Sequence, residues 1–311
     1  MFLTAKDSKV TKVLYSEIVD SCVDLYLKRE DFLHPFISGN KYRKLTYNLE
    51  KAKELGNNTL LTFGGAYSNH IAAVAYAGNS FGFKTIGIIR GDELAKKIMN
   101  NEPLNPTLKF ATEHGMELNF VSREAYKNKD SQDFITHCQE SFGNFYLIPE
   151  GGSNELAVKG CEEILNENDQ MYDYICVSVG TGGTISGIIN ASKKHQHVIG
   201  FAAVNAPNII EEIKRFTKKS ANWQLYFEDH FGGYGKVNED LINFINRFKE
   251  ETDIQLDTIY TGKMMFRIID LIKKNHFPKN TKILAIHTGG LQGIAGMNEL
   301  LKKKKMTLIN S

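Results

Sequence analysis

The chain has 311 residues, 42% hydrophobic and 24% charged, enough apolar material for a substantial core and one or two domains. Lys and Arg number 38 against 36 Asp and Glu, and the resulting net charge of +2 offers no electrostatic footprint for nucleic acid or a membrane surface. Four scattered cysteines (Cys22, Cys138, Cys161 and Cys176), with no CxxC pair, exclude a zinc cluster or a disulfide scaffold and suit the reduced thiols of a cytoplasmic protein.

The first ten residues lack the apolar stretch of a secretory signal, and no segment approaches the roughly 18 apolar residues of a membrane span. Along the chain, short apolar runs rich in Val, Ile, Phe and Tyr read as strands. They lie at Asp24–Lys28, Thr59–Phe63, Lys84–Ile89, Glu117–Val121, Phe145–Ile148, Asp173–Val179, Val198–Val204 and Ile283–Ile286. Several are continuous rather than alternating, which predicts strands covered on both faces. Helix-length patterns fall between them, at Lys41–Leu55, His70–Phe81, Thr107–His114, Glu155–Asn168, Thr184–Lys194, Asn238–Glu251 and Lys263–Lys274. The alternation predicts an α/β fold with largely parallel sheets, right-handed crossovers and helices on both faces. Lys302–Lys305 reads as the solvated end of a last helix, where cations suit the dipole.

Glycines gather where strands run into helices: Gly64–Gly65, Gly151–Gly152, Gly180–Gly183 and Gly289–Gly290. Ligands of open parallel sheets bind beyond the carboxyl ends of strands, so these junctions predict a small-molecule site. At Gly180-Thr181-Gly182-Gly183-Thr184 the glycines let backbone N–H groups approach an anion, and the following helix points its positive end at it. The loop is neither a dinucleotide fingerprint, with Ile185 at the sixth position, nor a Walker A loop, with Ile188 after Gly187.

Lys41 falls in the first turn of a predicted helix. A cation there opposes the positive helix end, which lowers the amine pKa and suits a nucleophile or base. Lys44 is its competitor for that role. In Gly64-Gly65-Ala66-Tyr67-Ser68-Asn69-His70, Ser68 is a good N-cap, and the turn can also offer N–H groups and a hydroxyl to a carboxylate.

Five blocks in order carry a resemblance: Gly39-Asn40-Lys41-Tyr42-Arg43-Lys44-Leu45, Ser68-Asn69-His70, Gly180-Thr181-Gly182-Gly183, Tyr260-Thr261-Gly262-Lys263 and His287-Thr288-Gly289-Gly290. The chain resembles the D-cysteine desulfhydrase and 1-aminocyclopropane-1-carboxylate deaminase family of fold-type II pyridoxal-phosphate enzymes, whose fold is similar to the tryptophan synthase β chain. The resemblance implies pyridoxal 5'-phosphate as cofactor, held as an imine by Lys41. It implies that Asn69 contacts the ring hydroxyl, that Gly180, Thr181, Gly182, Gly183 and Thr184 bind the phosphate, and that Thr288 lies near the pyridine nitrogen. Ser68, Asn69 and His70 would hold the substrate carboxylate, with Tyr260 and Tyr234 on the reacting side. It further implies a larger domain (1–37 and 149–311), a smaller inserted one (38–148), a small amino-acid substrate and a homodimer, with no metal.

Within that family, cyclopropane deaminases resemble one another in an acid directly after the active-site tyrosine and in Gln after Ser-Asn. Here Thr261 and His70 stand at those positions, and both favour the desulfhydrase branch. The implied reaction is β-elimination from D-cysteine to pyruvate, sulfide and ammonia; deamination of the cyclopropane amino acid is the alternative. Relatives often carry Arg-Gln where this chain has Ala72-Ala73, and Asp-Pro-Val-Tyr where it has Asp257-Thr258-Ile259-Tyr260. His287 reads as a packed residue orienting its loop. Phe81, Phe83, Phe110, Phe120 and Phe142 read as core. Trp223 and His230 fall in an irregular stretch, 222–235, that could form a lid or a pocket wall.

Overall fold

The computed structural model describes residues 3, 7–100, 102–203, 208–218, 222–227, 231–233 and 235–310. The chain opens with β1 (Val10–Lys12), β2 (Val23–Lys28), α1 (Asn40–Glu54), β3 (Thr59–Gly65), α2 (Asn69–Phe81) and β4 (Lys84–Arg90). Next come α3 (Glu93–Met99), α4 (Pro106–Glu113), β5 (Met116–Val121), α5 (Arg123–Lys127), α6 (Gln132–Phe142) and β6 (Tyr146–Ile148). Then follow α7 (Glu155–Glu162), β7 (Tyr174–Val179), α8 (Gly183–Ala191), β8 (His197–Ala202), α9 (Ile209–Phe216) and β9 (Trp223–Tyr226). The last elements are α10 (Glu239–Thr252), α11 (Thr261–Lys273), β10 (Thr281–Ile286) and α12 (Gly293–Lys304).

Two sheets result. One runs β5-β4-β3-β6, all parallel. The other runs β1-β2-β10-β7-β8-β9 and is parallel except for β1. Central strands are buried along their length, as their continuous apolar runs require: in β4 only Lys84 and Arg90, at the ends, are exposed. Helices cover both faces of the larger sheet. Leu241, Ile245 and Phe248 of α10 pack with Met264 and Ile268 of α11 on one side. Ile185, Ile188 and Ile189 of α8 pack on the other. The smaller sheet lies against Leu45 and Leu49 of α1 and Val74 of α2, and its far face meets Tyr126 and Cys138. A fully buried Leu such as Leu45 contributes about 1.5–3 kcal/mol relative to an exposed one.

Several sequence expectations shift here. The single helix expected over Glu155–Asn168 stops at Glu162, and a 3-10 turn, Glu167–Met171, follows. Asn166 starts that turn: its side chain accepts from Asn168 N–H and the Asp169 carboxylate accepts from Asn166 N–H, each at 2.9 Å. Such reciprocal capping restarts the chain rather than continuing the helix. The strands β1 and β9 and the helices α3, α5, α6 and α9 lie outside the sequence expectations. Most are only three to eight residues long, and in α6, which is longer, only Cys138 is buried, so each gives a sequence pattern little to register; α9 is amphipathic, with Ile209 and Ile213 buried, but spans only eight residues. Val204, His230 and Tyr234 lie outside the described residues.

Candidate active site

The carboxyl ends of β3, β7 and β10 converge on the first turn of α1. Helix α1 begins at Gly39, whose φ of 62° belongs to the left-handed region. A Cβ there would fall 2.0 Å from the Thr288 carbonyl oxygen, so the loop after β10 presses directly on this turn. Asn40 N–H donates to that same carbonyl at 3.2 Å. Beneath, the buried Arg43 guanidinium grips Glu30 through two bonds of 2.9 Å, and Ser8 Oγ donates to Glu30 at 2.6 Å. A buried charge tied this way holds its backbone in one position, since losing either partner strands the other. The consequence is a fixed pose for Lys41 and Lys44, one helical turn apart.

These two lysines share a small inner pocket with Asn69, Ser178, the loop from Gly180 to Thr184, Tyr260 and Thr288. Burial holds the Lys41 amine well below the ordinary lysine range, and the charge of Lys44 adds to the effect. Burial also brings Lys44 down to about 8. Lys44 Nζ donates to the Gly151 carbonyl and to Ser153 Oγ, both at 2.9 Å. It lies 3.4 Å from where a Gly183 Cβ would be, at the N-terminus of α8. Around that terminus stand the Thr181 hydroxyl, 2.6 Å from Ser153 Oγ, and the Thr184 hydroxyl, which accepts from Asn40 Nδ2 at 2.9 Å. Gly182 enters the helix with φ 83°, and a Gly183 side chain would strike Ser153 Oγ at 2.7 Å. The result is a glycine-lined cradle with hydroxyls, a helix N-terminus and a lysine, the donor set of a phosphate site.

On the facing wall, α2 starts at Ser68, whose hydroxyl accepts from Ile71 N–H at 3.3 Å. His70 in the same turn is 2% exposed, with Nε2 2.8 Å from Thr62 Oγ1. Burial, then the charges of Lys41 and Lys44, keeps this histidine well below its ordinary pKa. Ser68, Asn69 and His70 line an outer cleft that also opens onto Lys41 and Tyr260. The Tyr260 ring closes over the loop after β7: a Gly180 Cβ would lie 3.3 Å from the ring edge. Ser178 Oγ and Thr288 Oγ1 lie 3.2 Å apart at the floor. His287, fully buried, places Nε2 2.7 Å from the Gln255 carbonyl, while its Nδ1 accepts from Gly289 N–H at 3.3 Å.

The sequence-derived candidates among the described residues therefore meet in one site: Lys41, Ser68, Asn69, His70, Gly180, Thr181, Gly182, Thr184, Tyr260 and Thr288 line it, and Gly183 adjoins it beside Lys44 and Ser153. Sequence reasoning missed Asn40, Ser178 and Asp257, and placed Lys44 only as a competitor of Lys41, not at the phosphate cradle. Asn40 and Ser178 adjoin motif residues and carry no signal of their own. Asp257 does: it sits four residues before Thr261, a spacing at which a side chain can cap a helix start. Among the described residues, no group of three or more His, Cys, Asp or Glu could hold a metal ion, and no helix is long and apolar enough to cross a membrane.

Pyridoxal phosphate fits this geometry. The cradle at α8 matches its phosphate, and an amine of lowered pKa stands where an aldehyde could join it. Residues 8–289 match the family described as pyridoxal-phosphate dependent enzyme. The chain is 30% identical over 300 residues to the bifunctional D-cysteine desulfhydrase/1-aminocyclopropane-1-carboxylate deaminase of Arabidopsis thaliana, covering 87% of this chain and 73% of that one. It is 29% identical over 304 residues to the 1-aminocyclopropane-1-carboxylate deaminase of a Bradyrhizobium species, covering 88% of each. A solved structure of an ACC deaminase homologue superposes with a TM-score of 0.82 at 25% identity, over 97% of this chain and 95% of the other. With the fold, the cradle and the lysine in place, this chain belongs to the pyridoxal-phosphate-dependent enzymes, in the 1-aminocyclopropane-1-carboxylate deaminase and D-cysteine desulfhydrase family.

Proposed function

We propose that the protein eliminates the β-substituent of a small D-amino acid, D-cysteine being the model substrate, to give pyruvate, sulfide and ammonia. One observation carries this reading over cyclopropane opening. Among the described residues lining the inner pocket, none bears a carboxylate; the floor offers the hydroxyls of Ser178 and Thr288. Thr261 is fully buried, and its hydroxyl is spent on Asp257 at 2.7 Å. Asp257 in turn has both oxygens occupied by Ile259, Tyr260 and Thr261 donors. Among the described residues, no acid is therefore free to protonate a pyridine nitrogen at this floor. A weaker electron sink is adequate when the substrate has an α-proton to lose. It is less adequate for a cyclopropane amino acid, which has none.

When bound, pyridoxal phosphate supplies the electron sink. Lys44, Thr181, Thr184 and the α8 N-terminus would hold its phosphate, and Lys41 would carry it covalently. Asn69, which lines the same pocket, would contact its ring. Ser68, with the N–H groups of Asn69 and His70 at the start of α2, takes the substrate carboxylate; first-turn N–H groups lack partners within a helix. Lys41, when its amine is free of the cofactor, takes the α-proton, and Tyr260 gives a proton to the leaving sulfur. Proton transfer by a placed group accounts for about 10²–10⁴-fold of the rate. The family parallel extends this reading to Tyr234, to residues 38–148 as the smaller domain, and to a homodimer in the cytoplasm.

The test is direct. Purified holoenzyme is assayed for pyruvate and sulfide with D-cysteine, and for 2-oxobutyrate and ammonia with 1-aminocyclopropane-1-carboxylate. Pyruvate from D-cysteine with no 2-oxobutyrate from the cyclopropane supports the proposal. The reverse pattern assigns the protein to the deaminase branch.

A further inference from the structure

The hydrogen bonds around His70 determine which of its nitrogens carries the proton. Thr62 has one hydroxyl hydrogen, and it donates to the Ile148 carbonyl oxygen at 2.8 Å. A carbonyl can only accept, so the Thr62 oxygen is left to accept from His70 Nε2, 2.8 Å away. His70 is then the tautomer with hydrogen on Nε2 and a lone pair on Nδ1. Burial, then the charges of Lys41 and Lys44, hold its pKa well below the ordinary histidine value, while the Pro149 carbonyl near the ring raises it. The Nδ1 atom is buried and has no hydrogen-bond partner. Buried acceptors are almost always satisfied, so this one calls for an explanation.

The surroundings narrow the choice of donor. Gly152 (φ 73°) passes the ring edge so closely that a Cβ would lie 3.3 Å from Nδ1 and 3.0 Å from Cε1. The backbone is thus kept bare on the side where His70 faces the cleft shared with Lys41. Lys44 already gives hydrogens to Gly151 and Ser153. The Lys41 amine makes no hydrogen bond among the described residues.

We propose that His70 Nδ1 accepts a hydrogen bond from the Lys41 amine whenever that amine is released from the cofactor, making His70 a positioning residue for proton transfer at the α-carbon. The inference rests on the reading of Lys41 as the cofactor lysine. The step balances simply: the α C–H bond breaks, its electron pair passes to the bound cofactor, and the proton forms a third N–H bond on Nζ. Held by one hydrogen, Nζ keeps its lone pair available. Once protonated, it gains a neutral acceptor where solvent is scarce.

The first test needs no turnover. In cofactor-free protein carrying ¹⁵N-labelled histidine, the His70 ring resonances report the tautomer, with assignment from His70→Asn. The expected result is hydrogen on Nε2 and an Nδ1 resonance that moves in Lys41→Ala but not in Lys44→Ala. A protonated ring, the opposite tautomer, or an Nδ1 resonance indifferent to Lys41→Ala would overturn the proposal. In the holoenzyme, His70→Leu should lower kcat about ten- to a hundredfold with KM little changed, the scale of one buried hydrogen bond. His70→Asn, whose amide oxygen occupies the place of Nδ1, should recover most of it. Equal losses in both variants, or a loss confined to KM, would count against it. If wild-type protein binds no pyridoxal phosphate, the reading of Lys41 fails instead, and the spectra of cofactor-free protein still decide the His70 pairing.

Discussion

Asp257 Oδ1 accepts both the backbone N–H and the hydroxyl of Thr261, each at 2.7 Å. Its other oxygen takes Ile259 N–H at 2.8 Å and Tyr260 N–H at 2.9 Å. One carboxylate thus ties down the first turn of α11 and the backbone from which Tyr260 projects over Gly180. Asp257→Asn removes an acceptor from this set. The expected cost is that of a lost helix cap, about 0.5–2 kcal/mol, together with a fall in kcat while cofactor absorbance is retained. Denaturant melts and steady-state assays check both; a stable variant with unchanged kcat sinks the positioning argument.

Lys41→Ala is expected to abolish the visible absorption of the cofactor-linked protein, because no other amine replaces it. Lys44 is the competing amine in the pocket, but its Nζ is held at Gly151 and Ser153. A retained absorption band in the Lys41 variant would move the assignment to Lys44.

Tyr260→Phe should keep cofactor binding and lose about 10²–10⁴-fold in turnover, the range for a placed acid or base. Absorbance measures the first and pyruvate release the second. Turnover within a few-fold of wild type would remove the Tyr260 hydroxyl from the reaction.

Lys44 predicts a pH dependence. Its folded pKa of about 8 lies below the ordinary 10.5. Between these values the unfolded chain binds more protons than the folded one. The stability of cofactor-free protein should therefore rise with pH across that window, and be flat below it as far as Lys44 is concerned. Lys41 acts in the same direction. Lys44→Met should reduce the slope of Tm against pH and weaken binding of pyridoxal phosphate. An unaltered slope with unaltered affinity contradicts the phosphate assignment.

Gly39→Ala tests the contact that seats α1. Its φ of 62° and the 2.0 Å approach to Thr288 oxygen leave no room for a methyl group. A loss of stability of about 1–3 kcal/mol is expected from the backbone strain alone, with weaker cofactor binding because Lys41 and Thr288 must separate. Urea titration and equilibrium binding measure the two effects, and a variant as stable as wild type would show that the turn can relax.

The fold and the cofactor were legible in the residues. Continuous apolar runs at β3, β4, β7 and β10 announced strands buried on both faces, and glycine junctions after them announced a ligand at their carboxyl ends. The five motif blocks named the family, which the matched sequences and the superposed structure show. Weakly patterned pieces were not legible: α6 buries only Cys138, and β1 is three residues long. For His70, the order Ser68-Asn69-His70 suggested a carboxylate grip, and only the Thr62 and Ile148 contacts reveal where its proton lies.

By itself the sequence determined which elements form and which chemistry they carry, because periodicity, caps and glycine junctions act over a few residues. Only the tertiary structure decided that Lys44 meets the α8 N-terminus and that His70 Nδ1 is left without a hydrogen-bond partner. Each depends on groups distant in the chain, 107 residues apart for Lys44 and Gly151 and 86 for Thr62 and Ile148. Their distances, burial and proton positions exist only once the two sheets and their helices have packed.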